Sequence, residues 1–293
     1  MMNGTAMQNF QLPGEQTVSL MAISDKEFDL MRGLIYQKFG INLSDEKKSL
    51  LVGRLQKILR TEGFQSFDQY YENLLNDKSG RAISKLIDNI STNHTYFNRE
   101  KAHFEYFRDH ALPDVLTRLK REKSTDLRIW CAGCSSGEEP YMLLMLMQEV
   151  MGEEYRHFNA GILATDISDR ILNTAKQGIY PVERIEALSD QQKRRHFSRC
   201  GPDLVQVSEE IRREAVFRRF NLMNDRFPFK KQFHIIFCRN VMIYFDRETR
   251  DALVRRFHAA TEQGGYLFIG HSETLGREQP LYEYIIPAAY RKR

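Results

Sequence analysis

The sequence predicts a Rossmann-like α/β fold, a doubly wound parallel sheet preceded by an all-helical domain, and three observations lead there. Beyond residue 126, apolar runs of strand length alternate with helical stretches. Before Ser91, four helical-period segments follow one another, with no proline from Ser24 onward. Between these regions, Leu127-Arg-Ile-Trp-Cys-Ala-Gly-Cys-Ser-Ser-Gly137 passes from a buried strand into a turn of small residues and then a helix. In a parallel sheet, that junction is where a ligand crevice opens.

Residues 1–21, with Gly4, Pro13 and Gly14 and no amphipathic period, read as a loose tail. A helical domain spans 22–92. Its first helix is announced by Ser24 and Glu27 as a capping box, a stripe of Phe28, Met31, Leu34, Ile35 and Phe39, and Gly40 as a left-handed stop. Further helices start near Ser44, Ser66 and Ser79. The polar run Ser91 to Thr95 marks the junction to a second domain, 93–293, which opens with a helix from about Arg99 towards Pro113. Strands are expected at Leu127–Trp130, Gly161–Thr165, His234–Cys238 and Tyr266–Ile269. Between about 178 and 218 the alternation lapses into a charged helix, Asp190 to Phe197, a Gly201-Pro202 turn and a short strand, Leu204 to Val207, which reads as an insertion at the sheet's edge.

Composition narrows the function. The 293 residues are 42% apolar, enough for real cores, and carry a net charge of only +4, well short of a dedicated nucleic-acid binder. Four cysteines, no leader and no apolar run of about eighteen residues predict a cytoplasmic protein that neither inserts in nor spans a membrane.

The candidate chemistry gathers at three patches. Gly133, Ser135, Ser136 and Gly137 let the backbone approach a ligand closely, and the turn continues as Glu138-Glu139 where a phosphate-binding loop would have Lys-Ser/Thr. Asp166 ends the second strand, where an acid accepts hydrogen bonds from ribose hydroxyls, a role that suits NAD and S-adenosylmethionine alike. Arg239, Asn240 and Tyr244 follow the fourth strand candidate and face the same crevice, unless Asn240 is simply a turn residue and its neighbours ordinary packing. Cys131 and Cys134 lack the two further ligands a zinc site needs and read as small turn residues. His271 reads as part of a structural turn, and Met142 to Met147 as core.

Taken in order, the motifs Ser91-Thr-Asn-His-Thr-Tyr-Phe-Asn-Arg-Glu100, Gly137-Glu-Glu-Pro-Tyr141, Phe237-Cys-Arg-Asn-Val-Met-Ile-Tyr-Phe245 and Gly270-His-Ser-Glu273 resemble the CheR family of chemotaxis receptor methyltransferases. The resemblance runs from about Ser24 to the end. It implies a methyltransferase domain with a small inserted antiparallel β-subdomain, S-adenosylmethionine as methyl donor with S-adenosylhomocysteine as product, no metal, and glutamyl methyl esters on the cytoplasmic helices of chemoreceptors. Carried over by motif position, it implies that Asn93, Thr95 and Arg99 meet the methionine end of the cofactor, with Arg99 and, less directly, Tyr244 beside the transferred methyl. Glu139 and Asp166 would take its amino and ribose groups, Asn221 and Leu222 would flank the adenine, and Asn240 and Val241 would complete the pocket. The basic side of the second helix, Lys47, Arg54, Lys57 and Arg60, reads from charge alone as either a solvated face or a docking surface, and the resemblance favours receptor docking there. Members that bind a receptor pentapeptide carry a longer glycine-rich turn than Arg199–Leu204 here, a departure from the pattern that leaves pentapeptide binding open. No nucleic acid, no membrane insertion and a monomer complete the expectation. The rival readings are a nucleic-acid methyltransferase, for which Asn240 to Tyr244 lacks the Pro-Pro-Tyr pattern, and a non-catalytic scaffold that binds the same cofactor.

Overall fold

The structure, a computed structural model, describes residues 21–276 and 279–293. The tail expected at 1–21 lies outside the described residues except for Met21, whose backbone exchanges hydrogen bonds with the Gln56 side chain at 3.1 and 2.8 Å.

Four helices form the first unit: α1 (Asp25–Phe39), α2 (Lys48–Glu62), α3 (Phe67–Asn76) and α4 (Arg81–Ile90). The capping box of Ser24 and Glu27 and the left-handed Gly40 end α1 as the sequence predicts. Two starts differ. Residues Asp45–Lys47 form a 3-10 turn that Ser44 does not cap with its side chain, so α2 begins only at Lys48. At α4, which begins two residues past Ser79, the Asp77 carboxylate accepts from the Ser79 and Ala82 N–H groups at 2.8 and 2.6 Å while Ser79 Oγ accepts from the Arg81 N–H at 3.3 Å, so the acid shares the capping with the serine. Met31, Ile35, Leu55, Leu59, Leu86 and Ile87 are fully enclosed in this core. Each such side chain contributes about 1.5–3 kcal/mol of burial.

The next helix does not stop at Pro113. Helix α5 (Lys101–Tyr106) passes through a π-turn, Phe107–Ala111, into α6 (Leu112–Arg121). The wider turn sits where the proline, in the first turn of α6, has no N–H to give the preceding carbonyls, so the chain continues instead of breaking.

The remaining elements in order are β1 (Asp126–Ala132), α7 (Glu138–Met151), β2 (Asn159–Asp166), α8 (Asp169–Gln177), β3 (Ile179–Pro181), α9 (Asp190–His196), β4 (Phe197–Arg199), β5 (Leu204–Val207), α10 (Glu209–Arg213), β6 (Ala215–Arg219), β7 (Phe233–Cys238), α11 (Arg247–Ala260), β8 (Thr261–Ile269), β9 (Tyr282–Ile286) and β10 (Ala289–Lys292). The main sheet runs β6-β2-β1-β7-β8-β10-β9, parallel as far as β8 and antiparallel through the last two strands. A second, antiparallel sheet, β3-β5-β4, is the small inserted unit. The insertion ends earlier than 218, because Ala215–Arg219 pairs with β2 as an edge strand of the main sheet. Its apolar run, Ala215 to Phe217, is only three residues long before Arg218 and Arg219, which hides the strand from a search for longer apolar runs, and its burial alternates, with Val216 and Arg218 exposed beside buried Phe217. Side chains alternate across the sheet: Ile129, Cys131, Ile235 and Phe237 pack with α7, whereas Trp130, Ala132, Ile236 and Cys238 pack with Leu253 and Phe257 of α11. Helices therefore cover both faces. The strand order reverses between β1 and β7, which fixes the crevice at their carboxyl ends.

Candidate active site

The turn after β1 is shaped by what is missing from it. Gly133 has φ +88°, and a Cβ there would lie 2.4 Å from Cγ2 of Val241 in the turn after β7. Only glycine lets the two turns touch. The N–H groups of Gly133 and Cys134 both donate to the Thr165 carbonyl, at 2.8 and 2.9 Å, and Ser135, itself at φ +49°, donates to Asp166 Oδ2 at 2.9 Å. Asp166 Oδ1 accepts from Ser168 N at 3.0 Å. Burial pushes the Asp166 carboxyl up from its ordinary value, against the pull of these backbone donors. The carboxylate still has acceptor positions left, since two oxygens offer about four.

The turn after β7 is held by charge. Glu273, buried, accepts the N–H groups of Asn240 at 3.0 Å and Ile243 at 3.1 Å, together with that of Gly270. Asn240 sits at φ +58°, and a Cβ on Gly270 would meet its Nδ2 at 2.4 Å. Arg239, almost wholly buried, bridges two acids: its Nη1 reaches Glu139 at 2.8 Å and its Nη2 reaches Glu100 at 3.0 Å. Glu100 also accepts from Asn240 Nδ2 and from the His271 N–H, both at 3.1 Å. The two acids differ. Burial raises the Glu139 carboxyl, with Arg239 only partly offsetting it; burial acts on Glu100 too, but there Arg239, Asn240 and the His271 N–H together win and lower it.

These turns open on a cavity of about 180 Å³ whose other wall is the helical unit and the segment that follows it. Asn93, Thr95 and Arg99 line it from that segment, where Ser135 Oγ donates to the Asn93 carbonyl at 3.2 Å and Arg99 Nη1 to the His94 carbonyl at 2.5 Å. Glu139, Asp166, Asn240, Val241 and Tyr244 line it from the sheet's edge, and Asn221 and Leu222 from the stretch after β6. Asn221 ties this wall to the helical unit by donating to the Lys38 carbonyl at 2.8 Å, as the Asn42 N–H does by donating to the Tyr244 carbonyl at 2.8 Å.

The basic set on α2 divides. Lys47 and Arg54 line the cavity, and the Arg54 guanidinium is committed to the Ile90 carbonyl and to Thr92 Oγ1, the latter at 2.9 Å, so it braces the junction segment. Lys57 and Arg60 are exposed. Cys131, Cys134 and Cys238 are buried free thiols, raised by burial, and belong to no metal-ligand group among the described residues. The hairpin between β4 and β5 closes through Cys200 N on the Leu204 carbonyl at 3.1 Å, a short turn as the sequence indicates. Sequence reasoning placed Arg239 at the crevice but gave it no partner, and assigned no role to Glu100 or Glu273. All three stand in motifs it singled out, but only the fold reveals that they bond to one another's turns. Among the described residues, no helix is long and apolar enough to cross a membrane.

Two family models match the chain: "CheR methyltransferase, all-alpha domain" over residues 26–91 and "CheR methyltransferase, SAM binding domain" over 93–290. A chemotaxis protein methyltransferase of Borreliella burgdorferi is 43% identical over 270 residues, covering 92% of this chain and 95% of that protein. One of Escherichia coli is 36% identical over 261 residues, covering 88% and 87%.

Proposed function

Because the chain belongs to the CheR methyltransferase family, an S-adenosylmethionine-dependent methyltransferase of chemotaxis, we propose that its acceptors are glutamate side chains on the cytoplasmic helical region of chemoreceptors, converted to glutamyl methyl esters. The observation that carries this reading is the single cavity shared by Asp166, Glu139 and Asn240 on one side and by Lys47 and Arg54 of the helical unit on the other. The first three suit a cationic nucleoside and Lys47 an approaching carboxylate, while Arg54, bonded to Ile90 and Thr92, braces the segment between them.

The residues present fit S-adenosylmethionine. Gly133 lets the Val241 turn close against the turn after β1 at the cavity's edge, Asp166 retains acceptor capacity for ribose hydroxyls, and Glu139 offers a carboxylate to an ammonium. Asn221 and Leu222 would flank the adenine, with Asn93, Thr95 and Val241 closing the methionine end. The cofactor supplies a methyl group on a positively charged sulfur. A glutamate acceptor has an unperturbed pKa of about 4.3 and is already ionised at neutral pH, so the site needs no general base. Its task is alignment, because charge on both reactants diminishes as the methyl moves. In this reading Arg99 holds the non-attacking oxygen or the cofactor carboxylate, where it does not stabilise the attacking oxygen in the ground state, and Tyr244 packs beside the reacting carbon. Lys57 and Arg60, with Lys47 behind them, steer the acidic receptor helices by salt-sensitive attraction. The protein works as a monomer at the cytoplasmic side of the membrane, inserts nothing into the bilayer, and takes no nucleic acid.

Incubation with methyl-labelled S-adenosylmethionine and receptor-containing membranes tests the proposal. Label on the receptor that base releases as methanol is expected. Base-stable label, label on RNA, or cofactor binding without transfer would replace it with one of the rivals.

A further inference from the structure

Glu100, the N-cap of α5, and His103, one helical turn later, face the same way, and His271 from the turn after β8 closes on them. One carboxylate oxygen and one nitrogen from each imidazole all lie within 4.8 Å of one another. His103 is fully buried. Its Nε2 is 3.1 Å from the Pro287 carbonyl, which can only accept, so Nε2 carries the proton and Nδ1 is left with a lone pair. That Nδ1 has no hydrogen-bond partner and points at Glu100 Oε2, 3.4 Å away. Two acceptors facing each other in a buried place gain nothing from one another. They are, however, set at the edge length of a tetrahedron, about 3.3–3.6 Å for nitrogen and oxygen ligands about 2.0–2.2 Å from a metal.

We propose that Glu100, His103 and His271 form a binding site for a borderline divalent transition metal such as Zn²⁺ or Co²⁺. The arrangement carries the features such sites need. A backbone carbonyl fixes the tautomer of the buried imidazole from behind, as outer partners of metal-ligating histidines do. His271 is exposed, with its ring 4.5 Å from that of His103, leaving the outer position to water. Two imidazoles and one carboxylate favour Zn²⁺, Co²⁺, Ni²⁺ or Cu²⁺ over Mg²⁺ and Ca²⁺. The neighbouring Arg239 does not forbid a cation, because Glu100 and Glu139 together overcompensate its charge.

Occupation would have a consequence in the cavity. Glu100 Oε2 already accepts from Arg239 Nη2 at 3.0 Å and Nε at 3.3 Å. A metal on the same oxygen competes for its lone pairs, loosens Arg239, and so disturbs Glu139 and Asn240 in the wall that faces the cofactor.

The metal site itself is independent of the acceptor proposed above. Calorimetry of the full, untagged chain with Zn²⁺, and visible absorption with Co²⁺, should show one equivalent bound at micromolar concentration with an intense d–d band of low coordination number. Replacement of buried His103 tests the fold as well as the site, so exposed His271 carries the test. His271→Ala should weaken binding by at least about 10-fold, as loss of one of three protein ligands requires, while His157→Ala, at a separate surface histidine, should not. Saturating Zn²⁺ should also weaken S-adenosylhomocysteine binding in the unsubstituted chain and not in His271→Ala. No binding below millimolar metal, or binding that His271→Ala leaves within about threefold, would overturn the site.

Discussion

The two turns that meet at the switch point are built by opposite means. After β1 the chain is positioned by backbone N–H groups and the absence of a Cβ at Gly133; after β7 it is positioned by buried carboxylates, Glu273 beneath the backbone and Glu100 and Glu139 around Arg239. One turn is specified mainly by shape, with Asp166 as its one buried acid, and the other mainly by charge. Steric change should therefore break the first without regard to pH, and charge deletion should break the second in a way that protons can mend.

The largest effect is expected at Arg239. Arg239→Ala leaves two largely buried carboxylates facing each other without their cation, a loss of about 3–5 kcal/mol at neutral pH. Denaturant unfolding should register it. The deficit should shrink on acidification, because Glu139 is already raised by burial and accepts a proton readily. Gly133→Ala should follow, combining about 1–3 kcal/mol of backbone strain at φ +88° with a contact that forces Val241 away. S-adenosylhomocysteine affinity should fall at least about 10-fold by calorimetry, and Gly133→Ala with Val241→Ala should recover part of it. A deficit at Gly133 that changes with pH, or one at Arg239 that does not, would erase the distinction between the turns.

Acid should also act on ligand binding directly. Asp166 and Glu139 have raised values, so in the folded protein they gain protons at a higher pH than free carboxylates do. A raised carboxyl favours the folded state below its unfolded value and loses that contribution as pH climbs through its folded value. Glu100, lowered, behaves in the opposite sense, as do buried His103, His196 and His234, each held down to about 4. These groups oppose one another in a melting curve, whereas ligand binding needs Asp166 and Glu139 ionised. Calorimetric affinity for S-adenosylhomocysteine should thus fall on acidification, with a midpoint above the usual carboxylate range of about 4. Asp166→Asn should lose most of the affinity at neutral pH and flatten the profile.

The same contrast explains what could be read from the sequence. The shape-built turn was legible because its requirements are local: small residues directly after a strand, then an acid at the end of the next strand. The capping box of α1 and β7, apolar except for His234, were legible for the same reason. The charge-built turn was visible only as motifs. Arg239 joins Glu100 and Glu139 across 139 and 100 residues of chain, and Glu273 reaches back 33 residues to Asn240, distances over which no periodicity informs. The β6 strand was missed because its apolar run, Ala215-Val216-Phe217, is only three residues long and lies between Glu214 and Arg218. Arg54 was read as a free surface cation because charge pattern alone cannot tell an arginine facing solvent from one bonded to the junction segment.

That last difference yields the smallest expected effect. Lys57 and Arg60 are exposed on α2, and Arg54, on the same helix, is not free. If receptor helices are drawn by the exposed pair, Lys57→Glu with Arg60→Glu should slow receptor methylation by about 3- to 10-fold at low salt, and the gap should close as ionic strength shortens the reach of the charges. Cofactor affinity should not move. Arg54→Ala should do the reverse, lowering stability and cofactor affinity through the junction segment with no salt dependence of its own. Equal salt dependence in the two variants would mean that Arg54 meets the receptor and that its bonds to Ile90 and Thr92 give way when it does.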